Sequence, residues 1–266
     1  MSTLKRKGAR STKDIPSDIL AQLNAGEIPT ANLVEWLAVD QKLLLTNLLA
    51  AHKRTAYLDP ILDALAPLKK PTVNSLNETI GLTLLKLCTL HNDPSFLQDL
   101  AQHPADIVRC WACYTIGGNP QLSMEETLSQ IQRFAADNHF GVREISWLAI
   151  RNKLILNLDQ SLLILQDWTS NADENIRRFA SESIRPRGVW GAHISVLKEQ
   201  PEKALPILEA LKSDSARYVQ DSVGNWLNDA SKTQPDFVKE LAEQWAINAT
   251  KETTYILKKA MRTLNK

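Results

Sequence analysis

Glu144 is the acidic residue of this sequence with the most chemically suggestive neighbours. It follows Arg143, with Phe140 one helical turn before it and Trp147 one turn after, so that on a helix all three side chains share a face. A carboxylate in that setting can stabilise the positive charge that builds on a deoxyribose as its glycosidic bond breaks, the oxocarbenium chemistry of glycosidases. The same spacing suits an Arg–Glu pair or a salt bridge between neighbouring elements. Arg109, Arg143 and Arg177 each directly follow an apolar residue of a repeating pattern, Arg178 stands beside the last, and Lys258 and Lys259 flank the equivalent place near residue 256. Cations repeated along one face match a duplex backbone, where each neutralised phosphate releases counterions. Taken singly, each also fits a bond to a carboxylate of an adjacent repeat. The stretch Arg185-Pro-Arg-Gly-Val-Trp190 combines Pro and Gly, which fix a non-helical turn, with Arg185, Arg187 and Trp190, which equip it for phosphate and sugar contact; a gap-filling loop is the alternative. Cys110 and Cys113 form a single C-x-x-C. A zinc site needs two further ligands at comparable spacing, so the pair reads as two small buried helix residues and no metal is expected.

The elements that position these residues emerge from a hidden period. Val108, Val142, Ile176, Val219 and Ile256 stand 34, 34, 43 and 37 residues apart. Eight residues before the first four come Leu100, Phe134, Trp168 and Leu211, all large and apolar. Four residues after each of the five come Ala112, Ser146, Ala180, Val223 and Ala260, mostly small. Turn and capping residues lie between: Pro104 and Asp106, Asp137 and Asn138, Asp173 and Asn175, Asp214 and Ser215. Each unit thus reads as helix, tight turn, helix, and the series as an all-α helical-repeat solenoid, an α-α superhelix whose second helices line a concave side. First helices are predicted over 94–102, 123–135, 159–169, 201–212 and 235–247, with Pro94, Pro201 and Pro235 near their starts. Upstream, less regular helices are predicted over 16–24, 30–51, 57–68 and 73–90, with Gly26 and Pro29 separating the first two.

Composition agrees with a folded chain: 44% of residues are hydrophobic and 23% charged. Residues 14–266 are expected to form one repeat domain, with 14–91 as cap and irregular repeats and 92–266 as regular repeats. Residues 1–13, with Lys5, Arg6, Lys7, Arg10 and Lys13 and no acid, are expected to form a flexible basic arm. The formal charge of +1 means that any anion-binding face must come from segregated charge. No apolar stretch reaches membrane-spanning length and no signal-peptide pattern opens the chain, which, with three cysteines, implies a cytoplasmic protein. The five histidines are scattered. His139, although close to Glu144, reads as a turn residue.

Several segments resemble the AlkC and AlkD group of bacterial DNA alkylation repair proteins: Asn175-Ile-Arg-Arg-Phe-Ala-Ser-Glu182, the Arg185–Trp190 stretch, Tyr218-Val-Gln-Asp-Ser-Val-Gly-Asn-Trp-Leu-Asn-Asp-Ala-Ser-Lys-Thr-Gln-Pro235, Lys7-Gly-Ala-Arg10 and Asn32-Leu-Val-Glu-Trp-Leu-Ala-Val-Asp40. The resemblance implies a HEAT-like-repeat fold with double-stranded, alkylated DNA in a concave basic groove, no metal or organic cofactor, and a monomer. Active members hydrolyse the N-glycosidic bond of N3- and N7-alkylated purines; others bind DNA without excising bases. Carried over by the AlkD pattern, Phe140 takes an aromatic position, Glu144 that of the catalytic carboxylate and Arg178 that of an arginine, while Asn225 takes that of a tryptophan, with Trp226 beside it. In the AlkC pattern, Trp147-Leu-Ala-Ile-Arg151 matches a helix whose catalytic glutamate is replaced by Trp147. The expected function is excision of alkylated purines, with Glu144 stabilising the sugar cation, Phe140, Trp147, Trp190, Trp226 and Asn225 near the sugar, and Arg109, Arg143, Arg177, Arg178, Arg185, Arg187, Lys258 and Lys259 on phosphates. Two alternatives stay open: a non-catalytic binder of damaged or branched DNA, and a protein-interaction scaffold.

Overall fold

The computed structural model describes residues 6–188 and 190–265; Lys5 of the expected arm and Val189 of the Arg–Pro–Arg loop lie outside them. The described residues form sixteen α-helices and three short 3-10 turns without a strand. They divide into two compact units, Met1–Gln121 with Asn138–Ala149, and Leu122–Asp137 with Ile150–Lys266. No helix among the described residues is long and apolar enough to cross a membrane.

The repeat predicted from spacing is the core. All five anchor positions, from Val108 to Ile256, are buried, as are the four large residues eight positions before the first four and the five mostly small residues four positions after. The first four anchors are the third residues of the second helices Asp106–Gly117, Phe140–Leu156, Glu174–Glu182 and Arg217–Ala230, and Ile256 lies in the middle of Lys251–Ala260. A side chain eight residues earlier lies in the last turns of the preceding helix, so the two apolar positions face each other across the turn. In the second unit, Glu174–Glu182, Arg217–Ala230 and Lys251–Ala260 pack side by side in that order; in the first, Val73–Leu90 packs on Asp106–Gly117. The small positions allow this. A Cβ on Gly224 would stand 2.7 Å from Lys259 Cβ and 3.2 Å from Ile256 O, and one on Gly81 would stand 2.6 Å from both Trp111 O and Tyr114 Cβ.

Local signals set the helix ends. Ser123 and Glu126 form a reciprocal capping box ahead of Met124–Ala135, Asp93 caps Pro94–Gln102, and Asp173 accepts from Asn175 N–H ahead of Glu174–Glu182. Gly26, at φ +76°, ends Ser17–Ala25 by donating to the Gln22 and Leu23 carbonyls. Two boundaries depart from expectation. The helix predicted over 30–51 is two, Leu33–Ala38 and Gln41–Ala51, because Asp40 accepts from the Lys42 and Leu43 N–H groups and begins a new helix with Val39 extended. The helix predicted over 201–212 opens as a 3-10 turn, Pro201–Ala204, before Leu205–Leu211. Pro206 supplies no N–H for the carbonyl four residues earlier, so an α-helix cannot run through from residue 201.

Candidate nucleic-acid interface

In the first unit the helix Phe140–Leu156 starts from a buried polar knot. Thr30 donates to both carboxylate oxygens of Asp106, its N–H at 2.8 Å and its hydroxyl at 2.9 Å. His139 Nδ1 accepts the Gly141 N–H at 3.1 Å, which leaves Nε2 to donate to Thr30 O, 3.0 Å away. Gly141 is required here: a Cβ would stand 2.7 Å from Trp36 Nε1. On the turns that follow, Glu144 and Trp147 meet, while Phe140, at the first position of the helix, packs on His139. The Phe140 ring lies 4.6 Å from that of His139. Trp147 is buried and its indole N–H donates to Glu144 Oε2 at 3.0 Å, so a half-buried carboxylate is oriented by an aromatic side chain one turn away. Such a carboxylate is positioned to stabilise positive charge or to orient water.

The repeated arginines have a shared geometry that spacing alone does not reveal. Arg109 Nη1 donates to the carbonyls of His103 and Pro104, six and five residues earlier, at 2.7 and 2.8 Å. Arg177 Nη1 donates to Asn171 and Ala172, at the same separations, at 2.9 and 3.0 Å. Gln220, at the corresponding place after Val219, reaches the carbonyl of Asp214. The residue after each of these anchors therefore clasps the turn between its two helices, satisfying carbonyls of the turn itself. Arg177 also holds Asp214, at 2.6 and 3.0 Å, and Arg54 holds Asp93 in the same two-pronged way, at 2.7 and 2.9 Å. Those hydrogen bonds from Arg54 hold the Asp93 carboxyl down at about 2.

The second unit gathers several predicted residues, but inward. Arg178 lies 3.6 Å from Glu182 and 4.1 Å from the centre of the Tyr218 ring. Arg185 bridges Glu182 at 2.9 Å and Asp229 at 2.6 Å, and Glu182 also accepts from the Ser222 hydroxyl at 2.7 Å. Burial would raise the Glu182 carboxyl, but the two arginines and these hydrogen bonds outweigh it and keep it below the ordinary range. Trp226, expected against a sugar, is wholly buried and donates its N–H to Ile184 O at 3.0 Å, just past the end of Glu174–Glu182, the helix on which its own helix packs. Asn225 accepts from Arg262 at 2.8 Å, Lys259 donates to Asp221 at 2.6 Å, and Lys258 is exposed. Trp190 is exposed, and Arg187 is half-buried.

Arg151 shapes the loop that carries these last two. Its guanidinium, 2% exposed, donates to the carbonyls of Ser183, Arg185 (2.5 Å) and Ala192 (3.0 Å). Burial pushes it down to about 10, and Arg185 adds to the shift. Sequence reasoning placed Arg151 in a motif without a role and did not single out Glu182 or Asp229. Glu182 was legible as the i+4 partner of Arg178; Asp229, 44 residues from Arg185, was not. Cys110 and Cys113 are buried.

Comparison with known proteins bears on both units. Residues 148–264, under half of the chain, match the family described as DNA alkylation repair enzyme. YhaZ of Bacillus subtilis, an uncharacterized protein, is 43% identical over 142 residues, 53% of this chain and 38% of that one. Among solved structures, the alkylpurine DNA glycosylase AlkC of Pseudomonas fluorescens, bound to DNA containing an abasic site analog, superposes with a TM-score of 0.68 at 22% identity over 97% of this chain and 66% of that chain. AlkD2 of Streptococcus mutans gives a TM-score of 0.56 at 23% identity over 77% of this chain and 98% of that one. The chain therefore spans less than two thirds of YhaZ and of the AlkC chain. The fold is the helical-repeat fold of AlkC and AlkD2, and the segment 148–264 within it carries the signature of the DNA alkylation repair enzymes.

Proposed function

We propose that this protein binds duplex DNA and hydrolyses the N-glycosidic bond of N3- and N7-alkylated purines. The observation that carries the reading is the Glu144 carboxylate, held by the Trp147 indole at 3.0 Å on a helix whose first residue, Phe140, supplies an aromatic ring. An alkylated purine already carries positive charge and leaves readily, so protonation of the base is dispensable. The work that remains is to stabilise the deoxyribose cation and to orient water, which one fixed carboxylate supplies. Arg143, Arg187 and Lys258 are the proposed phosphate contacts, with Trp190 against the sugar-phosphate backbone; Arg109 and Arg177 are engaged by their own turns and, for Arg177, by Asp214. The family match over residues 148–264 supports DNA as the substrate.

Single-turnover incubation with duplex containing 7-methylguanine, followed by heat and alkali to reveal abasic sites, tests the reading. Release by the wild type, together with loss of release but retained duplex affinity in Glu144→Gln, is the expected result; a wild type that releases no alkylated purine removes the catalytic claim. One observation favours a non-catalytic DNA binder as second reading. Trp226, Arg178 and Arg185, assigned by resemblance or composition to DNA contact, are engaged within the second unit. That reading expects salt-dependent duplex affinity without excision.

A further inference from the structure

Within the first unit, the described part of the basic arm is bolted to the protein. Arg6 forms two parallel hydrogen bonds to Glu35, both at 2.6 Å, and a third to Pro29 O at 3.2 Å. Glu35 is 1% exposed and also accepts from the N–H groups of Ala9 (3.4 Å) and Ala31 (2.8 Å). Asn32 Nδ2 donates to Ala9 O at 2.7 Å, while its Oδ1 accepts from Glu35 N–H. Gly8 lies so close that a Cβ would stand 2.4 Å from Asn32 Nδ2. A two-pronged ion pair on a buried carboxylate holds geometry as well as charge. Beyond the latch, Lys7, Arg10 and Lys13 are exposed, and among the described residues no carboxylate stands within ion-pair distance of them; the adjacent Asp14 accepts from Ser11.

The latch sits against the element that abuts the Glu144 helix. Residues 29–36 take the arm on one side through Pro29, Asn32 and Glu35, and on the other contact that helix's start through Thr30 with His139 and Trp36 with Gly141. A free basic tail would have to be ordered when it met a partner, whereas this one is ordered already.

We propose that residues 7–13 are a latched basic strip in which the pairing of Arg6 with the buried Glu35 holds Lys7, Arg10 and Lys13 to contact duplex phosphates beside the Glu144 helix. The proposal rests on the duplex-binding reading above. It assigns Glu35 a positioning role that its negative charge would otherwise disguise, because a buried acid strengthens binding to a polyanion by fixing cations in place.

Duplex affinity by fluorescence anisotropy over a salt series, with the full-length protein and an undamaged duplex, tests it. Lys7→Ala/Arg10→Ala/Lys13→Ala is expected to weaken binding about tenfold or more near 0.1 M salt and to reduce the steepness of the log–log salt dependence by about 2 to 3, roughly 0.9 for each phosphate that is no longer neutralised. Glu35→Gln raises the formal charge by one, so simple electrostatics demands tighter binding, whereas the latch demands weaker binding. Gly8→Ala, which leaves charge unchanged and drives the arm into Asn32, is expected to weaken binding as well, and keeps the test decisive should Glu35→Gln fail to fold. A triple variant with unaltered affinity and salt dependence, or a Glu35→Gln or Gly8→Ala protein that folds and binds as tightly as the wild type or tighter, overturns the strip while leaving the duplex reading intact. A wild type without duplex affinity overturns both.

Discussion

An arginine's surroundings decide whether it grips a ligand or the protein itself. Arg185 illustrates the second case, with Glu182 and Asp229 both within 3 Å and both nearly buried. Removing Arg185 takes the nearest cation from two buried carboxylates, which costs more than the pairs contribute when intact. Arg185→Met is therefore expected to destabilise the protein by about 3–5 kcal/mol in urea unfolding at neutral pH. A phosphate-contacting arginine on the surface would leave the unfolding midpoint where it was and change only duplex affinity. Trp190 is the contrasting aromatic. It is 58% exposed, on a loop whose backbone Arg151 holds at three carbonyls, so it remains available to a partner where Trp226 does not.

At the scale of elements, the repeating hairpin is kept together by three devices: apolar residues facing across the turn, a clasp from the residue after the anchor, and small residues where second helices meet. The last is the least forgiving. Between Arg217–Ala230 and Lys251–Ala260 the neighbours of Gly224 include the Ile256 carbonyl, a backbone atom that a rotamer change cannot move. Gly224→Ala is expected to force these helices apart at a cost of about 1–3 kcal/mol, despite the better helix propensity of alanine, and thermal melting would read it as a lower midpoint. A midpoint equal to or above that of the wild type would show that the helices separate freely. The split at Asp40 belongs to the same scale: two N–H groups captured by one side chain outweigh a continuous apolar pattern.

For the molecule as a whole, acid is expected to act in two steps on the Met1–Gln121 unit. Burial first, then His52 and Arg109, push the His103 ring down from 6.5 to about 4. An unfolded chain takes up that proton at the higher pH, so the stability contributed by the neutral ring is complete above about 6.5 and is lost as pH falls through 4. Asp93 adds a later step. Its carboxyl is held at about 2 by Arg54, so its contribution is present above about 4 and disappears as pH falls through 2. Melting midpoints measured from pH 8 to pH 3 should therefore be level at first, decline between about 6.5 and 4, and decline again below. His103→Asn, which retains an acceptor for the Ala105 N–H, should flatten the first decline and leave the second. A first decline that persists in that variant would assign the proton uptake elsewhere.

What the sequence determined by itself is the repeat. The anchors and their partners eight residues before and four after are buried because helical periodicity and apolar type are local properties, and stacked hairpins bury them by a rule that needs no distant information. The Glu144–Trp147 contact was legible for the same reason, since it lies within one turn of one helix. The tertiary structure alone decided which way the charged side chains point and what they meet. Arg185 finds Asp229 at a separation of 44 residues, Arg177 finds Asp214 at 37 and Arg6 finds Glu35 at 29. Each pairing depends on how one hairpin or loop settles on the next, and a long side chain placed by its sequence neighbours can serve a ligand or a carboxylate equally well until that packing selects one.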